Sequence, residues 1–263
     1  MTAVERDERE SLGMAFADIL VVAKRNLIGL VRVPTTLVFS SVQPVIFVLM
    51  FRYVFGGAIH VPGVSYVNFL MAGIFVQTVT FGSMNTGVGL AEDLSRGLVE
   101  RFRSLPMARS AVLGGRTVAD VVRNAFVVLL MLAVGYLVGF RVQTNALALV
   151  AAIGILLLFG FAMSWIMALV GLSVGNAEGA QAAAFPVIAP LVFASNAFVP
   201  PETMPAVLRA FANHQPVSAA VSAARALLLG GPTTGKVLGS VAWSLGIIVV
   251  FAPLAVRRYR RAA

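Results

Sequence analysis

The feature that most constrains this chain is a series of apolar blocks, each long enough to cross a lipid bilayer. A crossing helix takes about 20 mostly apolar residues. Six such blocks can be read, at Thr35–Val54, Tyr66–Leu90, Asp120–Phe140, Ala146–Val174, Ala180–Val199 and Lys236–Val256. Lipid offers no partner to a backbone N–H or C=O, so a lone crossing segment satisfies its own groups by forming a helix. Composition agrees, because the 263 residues are 59% hydrophobic and only 12% charged, with a mean hydropathy of +0.91. An ordinary soluble domain carries about 25% charged residues, so this chain lacks the polar surface to face water all round. The expected fold is an all-α membrane protein with six transmembrane helices.

The net charge of +9 does not imply nucleic acid, because the basic residues sit between and beside the apolar blocks. That placement fits anionic headgroups and the control of topology. Fifteen of the 20 basic residues fall before the first block, between the second and third or at the mouth of the third (Arg123), or after the sixth; the other five are Arg52, Arg141, Arg209, Arg225 and Lys236. The positive-inside rule then makes both termini and the 91–119 loop cytoplasmic. The opening run MTAVERDERE holds four acids and leads into no compact apolar stretch with a cleavage site, so no cleaved signal peptide is expected.

Two regions are neither crossing helix nor plain loop. Within the 1–34 segment, Leu12, Phe16, Ile19, Leu20, Ala23, Leu27 and Leu30 share one helical stripe, the pattern of an amphipathic helix lying in the cytoplasmic interface. Pro34 stands where the next helix would begin. Residues 200–235 open on Pro200 and Pro201 and contain an apolar run, Val217–Leu229, too short to cross. An outer re-entrant hairpin is expected there. The six-span domain covers 35–256, and 257–263 form a basic cytoplasmic tail. Pro44, Pro186 and Pro190 predict kinks, and the GxxxG spacings at Gly135/Gly139, Gly171/Gly175 and Gly175/Gly179 predict close helix packing.

Enzymatic chemistry is missing. There is no cysteine, the histidines His60 and His214 stand alone in outer loops, and neither HExxH nor GxSxG occurs; no metal site, cofactor or hydrolase centre is expected. Residues 230–236 read GxxxxGK, but Val237 replaces the Mg²⁺-binding Ser or Thr and the stretch precedes an apolar helix on the outer side. It reads as a turn with Lys236 snorkelling at the interface. Inside the blocks the polar points are few: Gln43, Gln77, Asn85, Ser164 and Asn196, with Asp120 and Arg123 near the cytoplasmic end of the third. A secondary transporter would need intramembrane charge or inverted repeats, and a structural assembly protein would not need a charged helix after the second block. Those two classes stand as alternatives.

That helix is predicted in the 91–119 loop. Leu94, Leu98, Phe102 and Leu105 form an apolar stripe, Arg96, Glu100 and Arg103 a charged one, and Pro106 stops the run. Glu92/Arg96 and Arg96/Glu100 have i,i+4 spacing. The run Glu92-xxxx-Gly97-xx-Glu100-Arg101-Phe102-Arg103-Ser104-Leu105-Pro106-xx-Arg109, followed by Gly115-Arg116 and Asp120, resembles the signature loop of ABC-2-type export permeases. Its RFRSLP core resembles the daunorubicin-resistance branch.

The resemblance extends over nearly the whole chain, from the amphipathic start to the hairpin before the sixth block. It implies the membrane subunit of an ATP-driven ABC exporter, paired as a homodimer with two ATP-binding ABC ATPase subunits. The coupling contacts it implies are Glu92, Arg96, Gly97, Glu100, Arg101, Phe102, Arg103 and Pro106. ATP hydrolysis would lie on the separate subunit. The apolar wall with few polar points suits a hydrophobic small molecule, such as an amphipathic drug, antibiotic or lipid. The 18 arginines against two lysines point to a GC-rich bacterial genome, and so to a bacterial inner membrane.

Overall fold

The computed structural model describes residues 20–24, 27–28, 34–56, 59, 61, 63–97 and 109–262, and among them there is no strand. The helices are α1 (Pro34–Met50, continued by a π-helical turn Phe51–Phe55), α2 (Tyr66–Gly82), α3 (Met84–Ser95), α4 (Arg109–Leu137), α5 (Ala146–Val174), α6 (Ala177–Phe193), α7 (Ala206–Asn213), α8 (Pro216–Leu229) and α9 (Thr234–Ala262). Four helical stretches, Tyr66–Ser95, Leu113–Leu137, Ala146–Val174 and Thr234–Arg261, are long and apolar enough to cross a membrane. The all-α membrane class read from the sequence holds. Of the predicted interfacial helix, residues 20–24 and 27–28 are helical, and the rest lies outside the described residues.

Helix α5 is the axis of the bundle, packing against α9, α3, α8, α4, α2 and α6. Its start is fixed by Asn145, whose Oδ1 accepts from the Ala148 N–H at 2.8 Å, an N-cap that satisfies an otherwise orphan donor. Gly175 ends it at φ +81, where its N–H donates to the Gly171 carbonyl, a conformation that favours glycine. Gly171 also sets how near α3 can come. A Cβ built there would lie 2.0 Å from the Gly87 carbonyl oxygen, so the two backbones touch and neither position has room for a side chain. The expected glycine packing thus falls on Gly171, with Gly87 as a partner that the spacing did not reveal.

Helix α2 is buried from Tyr66 to Thr80. The hydroxyls of Thr78 and Thr80 donate to the Ile74 and Val76 carbonyls, at 2.7 and 2.6 Å. That back-bonding lets a polar side chain sit in an apolar core. The second predicted block is not one uninterrupted helix, because Ser83 separates α2 from α3.

Other boundaries also move. α6 stops at Phe193, and residues 194–200 turn instead of continuing the fifth block to Val199. Pro186 and Pro190 lie inside α6 and remove ladder donors, so its last turn is held by the Ala194 N–H on the Pro190 carbonyl. α4 begins at Arg109, well before the predicted Asp120, and α9 continues through the basic residues to Ala262. Tyr259 is 3% exposed and packs in a cluster with Leu90, Leu113, Trp165 and Leu172, which carries α9 past the apolar block. One end of the bundle therefore holds the ends of α3, α5 and α9 and the starts of α4 and α6; it is the loop end. At the opposite, hairpin end, the Gln143 N–H and the Thr144 hydroxyl donate to the Leu228 and Leu227 carbonyls of α8, at 2.9 and 2.6 Å.

Candidate functional site

A pocket of about 650 Å³ opens between α1, α2, α3, α4 and α6. Gln43, Gln77 and Asn85, three of the five polar points read from the sequence, meet on its wall. The other two lie elsewhere. Ser164 donates to the Gly160 carbonyl of its own helix at 3.0 Å, and Asn196 sits at the hairpin end, bonded to Ser218 and Ser222. Arg123, Asn124 and Gln181 complete the polar wall. Sequence reading placed Arg123 only at a helix end and missed the other two. The signal was the spacing of Asp120, Arg123, Asn124 and Val127, which puts all four on one face of α4.

Gln77 stands apart from its neighbours. It is 3% exposed, and its Oε1 has no hydrogen-bond partner. Across the pocket the charges are closed off. Asp120 and Arg123, 8% and 6% exposed, pair at 2.9 Å. The Thr86 hydroxyl donates to the other carboxylate oxygen of Asp120. Arg123 Nη2 donates to the Gly82 carbonyl at 2.5 Å. A broken helix leaves carbonyls without their usual donors, and the Arg123 fork fills that need at the Ser83 break. Removing either ion would leave the other buried and unpaired.

A second tie lies nearer the loop end, where Arg116 of α4 and Asp93 of α3 pair at 2.7 Å. The guanidinium crosses directly over Gly89, where a Cβ would sit 1.3 Å from Nη2. Together the two ties brace α3 and α4, the helices that flank the 98–108 segment. Asp93 was not singled out from sequence. Its partner Arg116 was, as part of the signature run.

Of the predicted coupling residues, Glu92 and Arg96 form the expected i,i+4 pair at 2.5 Å, on an exposed surface. Gly97 takes a left-handed φ of +66. Glycine adopts that conformation without the Cβ strain any other residue would meet. Helix α3 ends at Ser95, and the Arg96 N–H donates to the Glu92 carbonyl; the rest of the helix predicted in this loop lies outside the described residues. Glu100, Arg101, Phe102, Arg103 and Pro106 lie outside the described residues.

A row of phenylalanines leads from the pocket toward the hairpin end. Phe185 and Phe81, both on the pocket wall, are 6.5 Å apart between centroids; Phe81 and Phe193 are 6.5 Å apart, and Phe193 and Phe198 are 5.8 Å apart. Phe198 then stacks on Phe51 at 4.7 Å. At that end Arg225 of α8 lies 3.6 Å from the centre of the Phe69 ring and donates to the Phe69 and Asn196 carbonyls, both at 3.1 Å. These contacts pin α8 to α2 and to the turn after α6.

The 230–236 stretch follows α8, not a strand, and Lys236 occupies the first turn of α9 at the hairpin end, so the βαβ setting of a phosphate loop is not there. Among the described residues no group of three His, Cys, Asp or Glu could hold a metal.

Residues 17–229 match the family described as ABC-2 type transporter. The chain is 35% identical over 259 residues to a daunorubicin resistance ABC transporter permease protein of Streptomyces coeruleorubidus, covering 98% of this chain and 92% of that protein. It is 30% identical over 258 residues to a probable doxorubicin resistance ABC transporter permease protein of Mycobacterium tuberculosis, covering 94% and 90%. A putative transport permease of Porphyra purpurea is 27% identical over 216 residues, 79% of this chain and 72% of that one. With its apolar helices and a match over most of its length, the chain belongs to the ABC-2 type transporter family and is similar to its drug-resistance permeases.

Proposed function

We propose that this chain is the membrane-spanning permease subunit of an ATP-driven ABC exporter, and that it moves an amphipathic small molecule, a drug, antibiotic or lipid, out of the cell. The observation that carries the reading is the brace. The same Arg123 that lines the pocket ties α4 to the end of α2 at the Gly82 carbonyl, and its ion-pair partner Asp120 accepts from the Thr86 hydroxyl of α3. A push on the loop between α3 and α4 would therefore reach the pocket wall through a buried ion pair rather than through compressible lipid.

On this reading the chain crosses the bacterial inner membrane six times, with both termini and the 91–119 loop in the cytoplasm and the 200–235 hairpin re-entering from outside. The bias of basic residues supports that orientation. The loop, with Glu92, Arg96, Gly97, Glu100, Arg101, Phe102, Arg103 and Pro106, docks on a separate ABC ATPase, and two copies of the permease pair. The drug-resistance names of the relatives support an amphipathic cargo. A proton-coupled carrier needs unpaired carboxylates or histidines near mid-membrane, whereas Asp120 is paired with Arg123 and accepts from Thr86.

The coupling role is tested at Glu100. If that charge is buried against the ATPase, Glu100→Arg costs about 2–5 kcal/mol of contact; if the segment only rests on the membrane surface, a surface pair contributes about 0–1 kcal/mol. The expected result in proteoliposomes containing both subunits is normal insertion with loss of substrate-stimulated ATPase activity and export. Glu8→Arg, the same change in the N-terminal segment, should be silent. Wild-type coupling in Glu100→Arg would refute the docking role.

A further inference from the structure

We propose that the exposed face of α9 near the loop end is a binding site for an anionic phospholipid, with acyl chains along Val250 and Leu254 and the headgroup among Arg257, Arg258 and Arg261. Three observations carry it. The first is the order of residues along one face. Val250, Leu254, Arg257 and Arg261 follow one another at spacings of four, three and four, which keeps all four on one side of a helix. Val250 and Leu254 are 53% and 40% exposed, and Arg257, Arg258 and Arg261 are exposed as well. The face thus passes from apolar to cationic in the order in which an anionic lipid presents its chains and its headgroup.

The second is rigidity. The positive-inside rule counts charges on one side of the membrane and asks nothing of their direction, so a loose basic tail would satisfy it. Here the helix continues to Ala262. Tyr259, 3% exposed, packs in the cluster with Leu90, Leu113, Trp165 and Leu172. At 3.6 residues per turn, a residue two positions from both Arg257 and Arg261 lies on the opposite side of the helix. Burial of Tyr259 therefore fixes the rotation of the last turns and aims the two arginines away from the bundle.

The third is charge. The acids of α3 and α4, Glu92, Asp93 and Asp120, pair with Arg96, Arg116 and Arg123. Among the described residues no ion pair or hydrogen bond reaches Arg257, Arg258 or Arg261. Arginines clustered beside a bilayer attract anionic headgroups, and the guanidinium fork matches phosphate oxygens. An acidic protein surface would answer the arginines alone, whereas a lipid also answers the apolar residues that lead into them. The orientation proposed above puts this lipid in the cytoplasmic leaflet; the contact itself depends neither on that orientation nor on export.

The test uses the full-length chain, which has no native cysteine, labelled with bimane at Val250→Cys in phosphatidylcholine nanodiscs. A fixed share of the lipid is replaced by mid-chain-brominated phosphatidylglycerol or, separately, by mid-chain-brominated phosphatidylcholine. Val250 is seven residues from Arg257, about 10 Å along the axis, so quenching there reports the chains of a lipid whose headgroup sits at the arginines. The same label at Leu129→Cys, 54% exposed on α4, reads the ordinary lipid boundary. Relative quenching at Val250→Cys should favour phosphatidylglycerol by at least about fivefold, one arginine's share of surface attraction. At Leu129→Cys the two lipids should quench alike. Arg257→Gln/Arg258→Gln/Arg261→Gln should bring the Val250→Cys preference down to that of Leu129→Cys.

Equal preference at the two labels in otherwise wild-type protein would overturn the proposal, as would a preference unchanged in a triple variant of wild-type Tm. If the triple variant does not insert, salt decides. Raising KCl from about 0.1 to about 1 M shortens the Debye length from about 10 to about 3 Å and should cut the preference below about twofold; a preference that survives would refute the site. Inorganic phosphate at matched ionic strength should leave the preference intact. Its loss there would mean that the arginines take phosphate as a free ion, and the lipid site would fall. The lipid site would fall equally if the preference were absent and the triple variant instead failed to bind the ATPase. Because the lipid measurement contains no ATPase, nucleotide or substrate, its failure leaves the export reading standing.

Discussion

The carboxylate of Asp120 sits in an apolar bundle where a lone charge would cost several kcal/mol. Arg123 and the Thr86 hydroxyl keep it there, and Arg123 in turn supplies the donor that the Gly82 carbonyl lost at the helix break. Such a pair adds little net stability compared with well-packed apolar residues, but breaking it is expensive. Asp120→Ala should therefore destabilise the chain by about 3–5 kcal/mol, read as a lower Tm in detergent. The double variant Asp120→Ala/Arg123→Met should recover much of that loss, because no charge is left stranded. Equal Tm values for Asp120→Ala and the wild type would show that water reaches the pair and that the brace is slack.

At the scale of elements, much of the bundle could be read from hydropathy, because length and apolarity alone decide which segments can live in lipid. Ala146–Val174 was found with both ends correct, since Asn145 and Gly175 punctuate it. The misplaced boundaries have local causes. The fifth block was overrun because Ser195, Asn196 and Ala197 lie in an apolar neighbourhood but spend their polar groups on turns and on α8. α4 and α9 were cut short because hydropathy stops at charge, whereas helices do not: Arg109–Asp120 and Arg257–Arg261 are held by ties such as Arg116–Asp93 and by the packing of Tyr259. The pocket was legible only in part. Gln43, Gln77 and Asn85 were visible as polar points, but nothing in a linear pattern says that α1, α2 and α3 bring them together, and the break at Ser83 carries no proline to announce it. The left-handed turn at Gly97 shows the same limit, for the apolar stripe across it is regular and only the glycine marks the exit.

For the whole molecule, the orientation rests on where the arginines fall. The absence of cysteine makes every introduced thiol unique. Thiols at Ser95 and Ala263 should react with an impermeant reagent only from the cytoplasmic side, and one at Thr203 only from outside; labelling of Ser95 in sealed cells would reverse the topology. The unequal lengths of the helices have a further consequence. At about 1.5 Å per residue, the 17 residues of α6 reach about 25 Å and the 14 of α8 about 21 Å, short of a hydrocarbon layer of about 30 Å. The 29-residue helices α5 and α9 are about 43 Å long and can meet a thinner layer by tilting, whereas a short helix cannot stretch. On the six-span reading α6 crosses and lipid beside it must compress, at fractions of a kcal/mol per Å of hydrophobic mismatch, whereas α8, in the re-entrant hairpin, need not span the layer. Acyl-chain length thus becomes a control variable for this protein: in vesicles of graded thickness its Tm should peak with short-chain lipids and fall as the chains lengthen, and a flat profile would mean that α6 is shielded from lipid.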